Sequence, residues 1–228
     1  MDRKLIVTAD GSHSILVPEM NVTYHSVHGA IQESMHVFIE SGFKHLLNQS
    51  TNKPINILEV GFGTGLNVLL TIIAAEKLDQ NFYYVAIEPN PLSLEEARSL
   101  NYCELLGRKD LEENFMSMHQ CEWNKSLVVS ENMMIYKSNH QLQTFNHFPV
   151  FNLIYFDAFD PKVQPELWTK EIFEKMFELL RPGGILVTYS SKGEVRRAMQ
   201  AAGFEVEKLP GARGKREMIR GRKVIKVI

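Results

Sequence analysis

Apolar positions along the chain follow two alternating patterns. Short continuous apolar runs are typical of strands buried on both faces, and apolar residues three or four positions apart are typical of amphipathic helices. The two patterns alternate through most of the chain, which predicts an α/β fold with a doubly wound, mostly parallel sheet and helices on both faces. The predicted strands are 57–60, 82–87, 133–136, 151–156 and 185–189, and the predicted helices are 66–78, 93–106, 165–180 and 191–202.

The N-terminal pattern is different. Residues 4–8 and 14–17 are rich in β-branched residues and flank Asp10-Gly11, which predicts a small hairpin. Apolar residues at helical spacing over 30–47 predict one long amphipathic helix, with Gly42 as its weak point. Capping boxes at Ser93 with Glu96 and at Ser191 with Glu194 predict where the helices over 93–106 and 191–202 begin.

A chain of 228 residues suits one large domain with a short appendage. We therefore expect the hairpin and helix, residues 1–50, to be appended to a main domain, residues 51–228. Short strand candidates at 204–209 and 216–227 end the chain.

Composition and charge exclude several classes of protein. The formal net charge of -2 gives no global sign of a polyanionic partner. The apolar stretch 68–75 is far shorter than the roughly 18 residues of a membrane-spanning helix, and the N-terminus lacks a signal-peptide pattern. Cys103 and Cys121 form neither a disulfide framework nor a metal pair, and His25 and His28 have no nearby pattern of further ligands. We expect a cytoplasmic protein that binds no metal and crosses no membrane.

Polar residues follow three predicted strands, at the edge where doubly wound sheets bind ligands. The first strand contains Glu59 and ends at the loop Gly61-Phe62-Gly63-Thr64-Gly65, the second ends at Glu88-Pro89, and a later one ends at Asp157. Glycines at such a turn permit positive φ and a close approach of backbone to ligand. A dinucleotide fingerprint would place its third glycine at the position of Leu66, which weakens a nicotinamide or flavin interpretation.

S-adenosyl-L-methionine matches these residues better. It carries a cationic sulfonium, an amino-acid end, a ribose and an adenine, but no phosphate. Glu59 places a carboxylate beside the loop, and the two oxygens of Glu88 can accept both ribose hydroxyls. The pattern therefore predicts this cofactor. The alternative is a tight turn whose glycines serve packing alone, with Glu88 as a solvated carboxylate.

The second half of the chain resembles a known family. Residues 157–168, Asp-Ala-Phe-Asp-Pro-Lys-Val-Gln-Pro-Glu-Leu-Trp, are similar to a segment of the methyltransferase part of the MnmC family. The resemblance extends over roughly residues 20–222. It continues at Tyr24-His25-Ser26, Glu33-Ser34, Gly61 to Asn67, Arg181 to Gly184, Thr188 to Ser191 and Gly214 to Met218.

The resemblance implies a Rossmann-like class I methyltransferase. Its expected reaction moves a methyl group from S-adenosyl-L-methionine to the amine of 5-aminomethyl-2-thiouridine at the wobble position of tRNA. Many family members are fused to a flavin-dependent oxidase. Because this chain ends at Ile228, we expect a stand-alone methyltransferase that needs no flavin.

Individual roles follow from the position of each residue in the family pattern. Asp157 is the candidate catalytic residue, since a carboxylate near the methyl group can hold a proton of the acceptor amine; the alternative is a loop-organising Asp. Phe159 is a candidate for stacking on the flipped-out base, with core packing as its alternative. Tyr24 and Glu33 are candidates for closing the substrate side.

The adenine end is predicted by a departure from the family. Many members carry an acidic residue at the position of Ser138, so we expect adenine recognition by Ser138 and Asn139 or by backbone groups. The predicted cofactor-binding residues are Glu59, Gly61, Phe62, Gly63, Thr64, Gly65, Asn67, Glu88, Pro89, Ser138, Asn139 and Asp157.

Cations dominate the C-terminal segment. Arg213, Lys215 and Arg216 are the candidates for binding tRNA phosphates, although a solvated charged face would have the same composition. Two other functions remain open: an aminopropyltransferase or other small-molecule methyltransferase, and a non-catalytic tRNA-binding module. The intact acids Glu59, Glu88 and Asp157 argue against the second. The cations of the segment are Lys208, Arg213, Lys215, Arg216, Arg220, Arg222, Lys223 and Lys226, with Glu217 as the acid among them.

Overall fold

The computed structural model describes residues 2–49, 54–146 and 150–224. The predicted N-terminal hairpin is present, and a third short strand extends it into an antiparallel sheet. Its strands are β1 (Lys4–Val7), β2 (His13–Val17) and β3 (Val22–Thr23).

Eight strands form the main sheet, in the order β10-β11-β9-β8-β4-β5-β7-β6. The five central strands from β9 to β7 are parallel, and β6 and β11 are antiparallel to their neighbours β7 and β9. The predicted doubly wound, mostly parallel sheet is confirmed. The strands are β4 (Ile55–Val60), β5 (Phe82–Ile87), β6 (Ser126–Ser130), β7 (Met133–Ser138), β8 (Phe151–Phe156), β9 (Leu180–Thr188), β10 (Glu205–Pro210) and β11 (Glu217–Arg222).

Helices cover both faces because the central strands are apolar on both sides. In β4, Ile57 packs with one buried cluster and Leu58 with the other. Helices α1, α2 and α5 pack on the first face, and α6 and α7 on the second. The α-helices are α2 (Leu66–Ala75), α3 (Leu94–Arg98), α4 (Tyr102–Leu105), α5 (Glu112–Gln120), α6 (Lys170–Leu179) and α7 (Gly193–Ala201), and α1 joins Ala30–Ser34, a π-helical stretch Met35–Lys44 and His45–Leu47.

Helix α1 confirms the predicted long helix and explains its glycine. A Cβ at Gly42 would lie 3.0 Å from Val187 Cγ2 and 3.3 Å from Tyr155 Cε1, so the helix approaches the sheet closely at this point. The buried side chains of Val37 and Phe38 belong to the core of the main sheet. The expected division into residues 1–50 and 51–228 stays a prediction, because its boundary lies outside the described residues.

Several local predictions were wrong. Helix α5 and strand β6 lie within residues 107–132, where no element was predicted, and the helix predicted over 93–106 is two short helices. The capping box of Ser93 and Glu96 is confirmed, whereas Ser191 caps nothing and α7 begins after Lys192. Strand β9 begins five residues before Ile185, because Gly183 and Gly184 pair with Lys223 across the sheet.

The order of the strands determines where a ligand can bind. From β4 the chain continues to β5 and to the edge strand β6, turns back into β7 between them, and then crosses to β8 on the other side of β4. The loops after β4 and β8 therefore diverge and leave a crevice at the carboxyl ends of these strands. The three predicted polar sites lie at this crevice.

Candidate functional site

A cleft lies beyond the carboxyl ends of β4, β5 and β8. The predicted residues that line it are Tyr24, Gly61, Phe62, Gly63, Thr64, Asn67, Glu88, Pro89, Asp157 and Phe159.

Two glycines of the loop, Gly61 and Gly63, occupy positions where a side chain would not fit. Gly61 has φ +92°, and a Cβ there would lie 2.6 Å from the carbonyl oxygen of Asp157. Gly63 has φ +50°, and a Cβ there would lie 3.0 Å from Cδ1 of Tyr24. The glycines thus bring β4, β8 and the N-terminal segment together, so packing and exposure of backbone to a ligand are served by the same residues.

Glu88 is held in a fixed orientation. Oε2 accepts a hydrogen bond from Gly63 N at 2.9 Å, and Oε1 accepts one from Asn90 N at 2.8 Å. Each carboxylate oxygen can accept a second bond, so both remain available to a pair of hydroxyls in the cleft. Burial raises the pKa of Glu88, although the two N–H donors oppose the shift.

Glu59, Asn67 and Asp157 form a second polar group. Asn67 Nδ2 donates to Glu59 Oε1 at 2.9 Å and to Asp157 Oδ2 at 2.8 Å. Asn67 Oδ1 is buried with no hydrogen-bond partner, whereas the Glu59 carboxylate also interacts with the Tyr84 hydroxyl. Unpaired buried acceptors are costly, and they fit a ligand that brings N–H donors or positive charge.

Burial also changes the protonation of these acids. It raises the pKa of Glu59 well above its usual value, and the neighbouring Asp157 and Glu88 charges add to the shift. Burial, together with the Glu33 charge, raises the pKa of Asp157 to about 7, against the opposing effects of Asn67 and Lys215. A cation bound beside them would restore their ionised forms.

A second pocket adjoins the cleft and shares Asp157 with it. Tyr24, His25, Ala158 and Phe159 also line both cavities. The rings of Tyr24 and Phe159 meet edge to face, with centroids 5.0 Å apart. The residues that line the second pocket alone include Asn21, Thr23, Ser26, Glu33, Asp160, Tyr189 and Lys215. We refer to it as the acceptor pocket.

The cations of the C-terminal segment have separate environments. Lys215 lines the acceptor pocket, whereas Arg213 and Arg216 are exposed on the turn between β10 and β11. Lys208 pairs with Glu217 and Arg220 pairs with Glu207. Lys223 donates to the carbonyls of Phe177 and Leu180, and Lys226 lies outside the described residues. Much of the basic segment therefore stabilises the sheet.

Ser138 and Asn139 do not line the cleft. Ser138 Oγ lies 3.0 Å from His140 Nδ1, and Asn139 accepts a hydrogen bond from Asn124. Their predicted contact with adenine stays a prediction. The structure instead places Gln141 and Leu142 at the cleft, on the same loop.

His25 is a lining residue that sequence analysis did not assign. Its Nε2 lies 2.6 Å from Thr64 Oγ1, and His119 Nε2 lies 3.2 Å from the Thr64 carbonyl oxygen. Burial lowers the pKa of both histidines to about 4, so both are neutral near pH 7. The family signature Tyr24-His25-Ser26 was the one signal that could have indicated this role. Gly65 lies at the start of α2 rather than in the cleft lining.

Neither a membrane-spanning helix nor a metal cluster occurs in the described part of the chain. Within residues 2–49, 54–146 and 150–224, no helix is long and apolar enough to span a membrane. The same ranges contain no group of three or more His, Cys, Asp or Glu side chains placed to hold a metal ion.

The chain is similar in sequence to known proteins. A sequence profile of a family described as S-adenosyl-L-methionine-dependent methyltransferase matches residues 108–224. The chain is 32% identical over 209 residues to the tRNA 5-methylaminomethyl-2-thiouridine biosynthesis bifunctional protein MnmC of Aromatoleum aromaticum. That match covers 87% of this chain and 32% of the relative, so the chain spans about a third of the length of the curated relatives it matches.

Two crystal structures share the fold. MnmC2 from Aquifex aeolicus superposes with a TM-score of 0.76 at 25% identity, over 96% of this chain and 69% of that one. Spermidine synthase from Thermotoga maritima superposes with a TM-score of 0.51 at 13% identity, over 98% of this chain and 72% of that one. At so low an identity the second match shows the fold alone.

Proposed function

Because the chain belongs to the S-adenosyl-L-methionine-dependent methyltransferase family of MnmC proteins, we propose that it methylates the primary amine of 5-aminomethyl-2-thiouridine at the tRNA wobble position. The predicted family, cofactor and reaction type are confirmed. The acceptor, its tRNA, the cytoplasmic location and the role of each site residue are part of the proposal.

The observation that carries the proposal is the position of Asp157. It lies where the cofactor cleft meets a pocket walled by Tyr24, Phe159 and Tyr189. Aromatic faces of this kind suit an unstacked base, and an acid at the junction suits a basic amine. A nucleobase with an aminomethyl group satisfies both requirements in one molecule.

The cleft residues fit the cofactor. Glu88 would accept the ribose hydroxyls, and Asn67 would offer its unpaired Oδ1 to the amino-acid end, with the buried Glu59 accepting from Asn67 Nδ2 behind it. When bound, S-adenosyl-L-methionine supplies a methyl group whose bond to sulfur breaks, leaving the electron pair on sulfur, as the bond to the acceptor nitrogen forms. The chain supplies positioning and proton control, and positioning alone gives much of the acceleration in such displacements.

Asp157 would control the proton. An aminomethyl group is largely protonated near pH 7 and has no free lone pair until one proton leaves. The Asp157 carboxylate would accept that proton and hold the neutral amine toward the cleft. A pKa of about 7 makes Asp157 a stronger base than an ordinary carboxylate, and Asn67 Nδ2 fixes its orientation.

The exposed turn between β10 and β11 would bind the tRNA backbone. Arg213 and Arg216 are its exposed cations, and Lys215 of the same turn lines the acceptor pocket. We expect the Arg213→Ala/Arg216→Ala double variant to raise the KM for tRNA and to reduce its salt dependence, because each phosphate contact releases counterions. The kcat at saturating tRNA should change little.

The test is an incubation of the protein with S-adenosyl-L-methionine and tRNA from cells that lack the modification, followed by mass spectrometry of the nucleosides. One added methyl group on 5-aminomethyl-2-thiouridine is expected. Parallel reactions contain tRNA without the aminomethyl group, or putrescine with decarboxylated S-adenosylmethionine. Product in either parallel reaction, with none on the aminomethyl nucleoside, would replace the proposal by another methyltransferase or by an aminopropyltransferase.

A further inference from the structure

Lys215 differs from the other cations of its turn because its side chain reaches the acceptor pocket. Its Nζ lies 2.5 Å from Glu33 Oε1 and 3.9 Å above the centroid of the Tyr189 ring. Arg213 and Arg216, on the same turn, are exposed. A cation that is already paired and partly covered is poorly placed to bind phosphate.

The partners of Lys215 are themselves fixed. Glu33 is buried on α1, and its Oε2 accepts a hydrogen bond from Ser26 N at 2.8 Å. The Tyr189 hydroxyl donates to the carbonyl oxygen of Ala158 at 2.8 Å, directly after Asp157 in the chain. Lys215 is thereby held between two elements that border Asp157, and all of these groups line one pocket.

We propose that Glu33 and Lys215 form a charge-balancing pair that keeps Asp157 ready to accept a proton, and that Lys215 is a positioning residue rather than a phosphate contact. The inference rests on the proposed function of Asp157. Without Lys215, the buried Glu33 carboxylate would leave a second negative charge in the pocket and favour protonated Asp157. Without Glu33, the ammonium of Lys215 would favour the ionised form and weaken Asp157 as a base.

Several other charged and titratable groups lie near Asp157. The Glu33 charge raises the pKa of Asp157, after burial, and the Lys215 charge lowers it, as the pair requires. Glu59 on β4 interacts with Asp157 through charge and through their shared donor Asn67, and it remains in every variant below. Other titratable residues that line the two cavities with Asp157 are Tyr24, His25, Glu88, Asp160, Glu166 and Tyr189, and the Tyr84 hydroxyl also interacts with Asp157 through charge.

The test is a carbon-13 NMR titration of the Asp157 carboxyl group in the full chain, assigned with Asp157→Asn. We expect Lys215→Met to raise the Asp157 midpoint by about one pH unit and Glu33→Gln to lower it by a similar amount. The Lys215→Met/Glu33→Gln double variant should return close to the wild type, and Lys215→Arg should leave the midpoint in place. The acidic limb of kcat/KM should move in parallel.

A matched control uses a second lysine–acid pair at the rim of the acceptor pocket. Lys192 pairs with Asp160, which lines the pocket, and neither charge contributes to the pKa shift of Asp157, so Lys192→Met removes a comparable charge without that effect. The Asp157 midpoint in Lys192→Met should equal that of the wild type. An equal shift in Lys192→Met would overturn the inference, since any loss of positive charge would then suffice. Thermal unfolding checks that each variant is folded.

The rival role for Lys215 gives a different result. If Lys215 binds phosphate, Lys215→Met raises the KM for tRNA and reduces its salt dependence as Arg213→Ala does, and leaves the Asp157 midpoint unchanged. The titration contains no tRNA, so it separates the two proposals. If the Asp157 midpoints shift but tRNA is not methylated, the proposed function alone is refuted. If tRNA is methylated but the Asp157 midpoints do not shift, the proposed role of the Glu33–Lys215 pair alone is refuted.

Discussion

Replacing Asp157 by Asn should make the unliganded protein more stable while it removes most activity. Burial, with Glu33, raises the pKa of Asp157 from 3.8 to about 7 in the folded chain. A group whose folded pKa is raised costs stability once it ionises. The cost is absent below pH 3.8, grows as the pH rises toward 7 and is constant above that value. The amide introduced by Asp157→Asn would carry no such cost, and it keeps an oxygen for Asn67 Nδ2.

The magnitude follows from the shift. A change of about 3 pH units corresponds to about 4 kcal/mol of unfolding free energy. Asp157 is only partly covered in the cleft, and water there screens its charge, so we expect about 2 kcal/mol. For a chain of this size, that raises the Tm by roughly 4–8 °C at pH 8 and by little at pH 4.

The assay is thermal unfolding of both proteins across pH 4–8 without ligand. The control is Asp160→Asn. Burial opposes ionisation of Asp160, yet the Lys192 ammonium and the Lys162 N–H hold its pKa below the usual value. That variant should therefore lose stability relative to the wild type as the pH rises. A difference between Asp157→Asn and wild type that stays constant or shrinks between pH 4 and 8 would refute the reasoning.

Activity gives the second half of this prediction. Loss of a general base lowers rates by about 100- to 10,000-fold, so Asp157→Asn should lower kcat by at least the smaller factor. The wild-type kcat/KM should rise with pH through about 7, because this parameter reports the ionisation of Asp157 in the free enzyme. A stable variant with normal kcat would show that Asp157 organises the loop and does not handle the proton.

Three further predictions concern the cofactor cleft. Glu88→Gln should weaken S-adenosyl-L-methionine binding about 10- to 100-fold by calorimetry, since hydrogen bonds to a charged group are lost, whereas Glu95→Gln on the exposed face of α3 should not. Gly61→Ala should lower the free energy of unfolding by about 3 kcal/mol, because the added Cβ would overlap the backbone of Asp157. The control Gly107→Ala, at φ +65° with no atom near the added Cβ, should lower it by about 1 kcal/mol. Burial raises the pKa of Glu59, so cofactor binding should release its proton, and binding should become tighter as the pH rises. The assay is calorimetry in buffers of different ionisation enthalpy. Observed heats that do not depend on the buffer would contradict this prediction.

The residues that sequence analysis placed best are those whose chemistry is local. The strands predicted over 82–87 and 151–156 match β5 and β8 residue for residue. Glu88 and Asp157 directly follow these strands, so their positions at the carboxyl edge of the sheet followed from the strand ends. These strands could be predicted without information about distant contacts, because a strand that is buried on both faces is a continuous apolar run in its own sequence.

Other features depend on contacts between distant segments. Strand β6 is an exposed edge strand whose pattern lacks a clear apolar period, so its pairing with β7 was not visible. The cleft position of Gln141 results from the path of the loop after β7, and the separation of Lys215 from Arg213 results from its contact with Glu33, 182 residues away in the chain. A run of cations in sequence gives no information about which of them face solvent.

The electrostatics of the cleft connect its stability with its ligand. Burial raises the pKa of Glu59, Glu88 and Asp157 alike, so the unliganded site resists holding its acids in charged form. The apolar burial of β4, β5 and β8 on both faces offsets that cost and keeps the acids at fixed positions. A cationic ligand reverses the penalty, since each ionised acid then gains a partner.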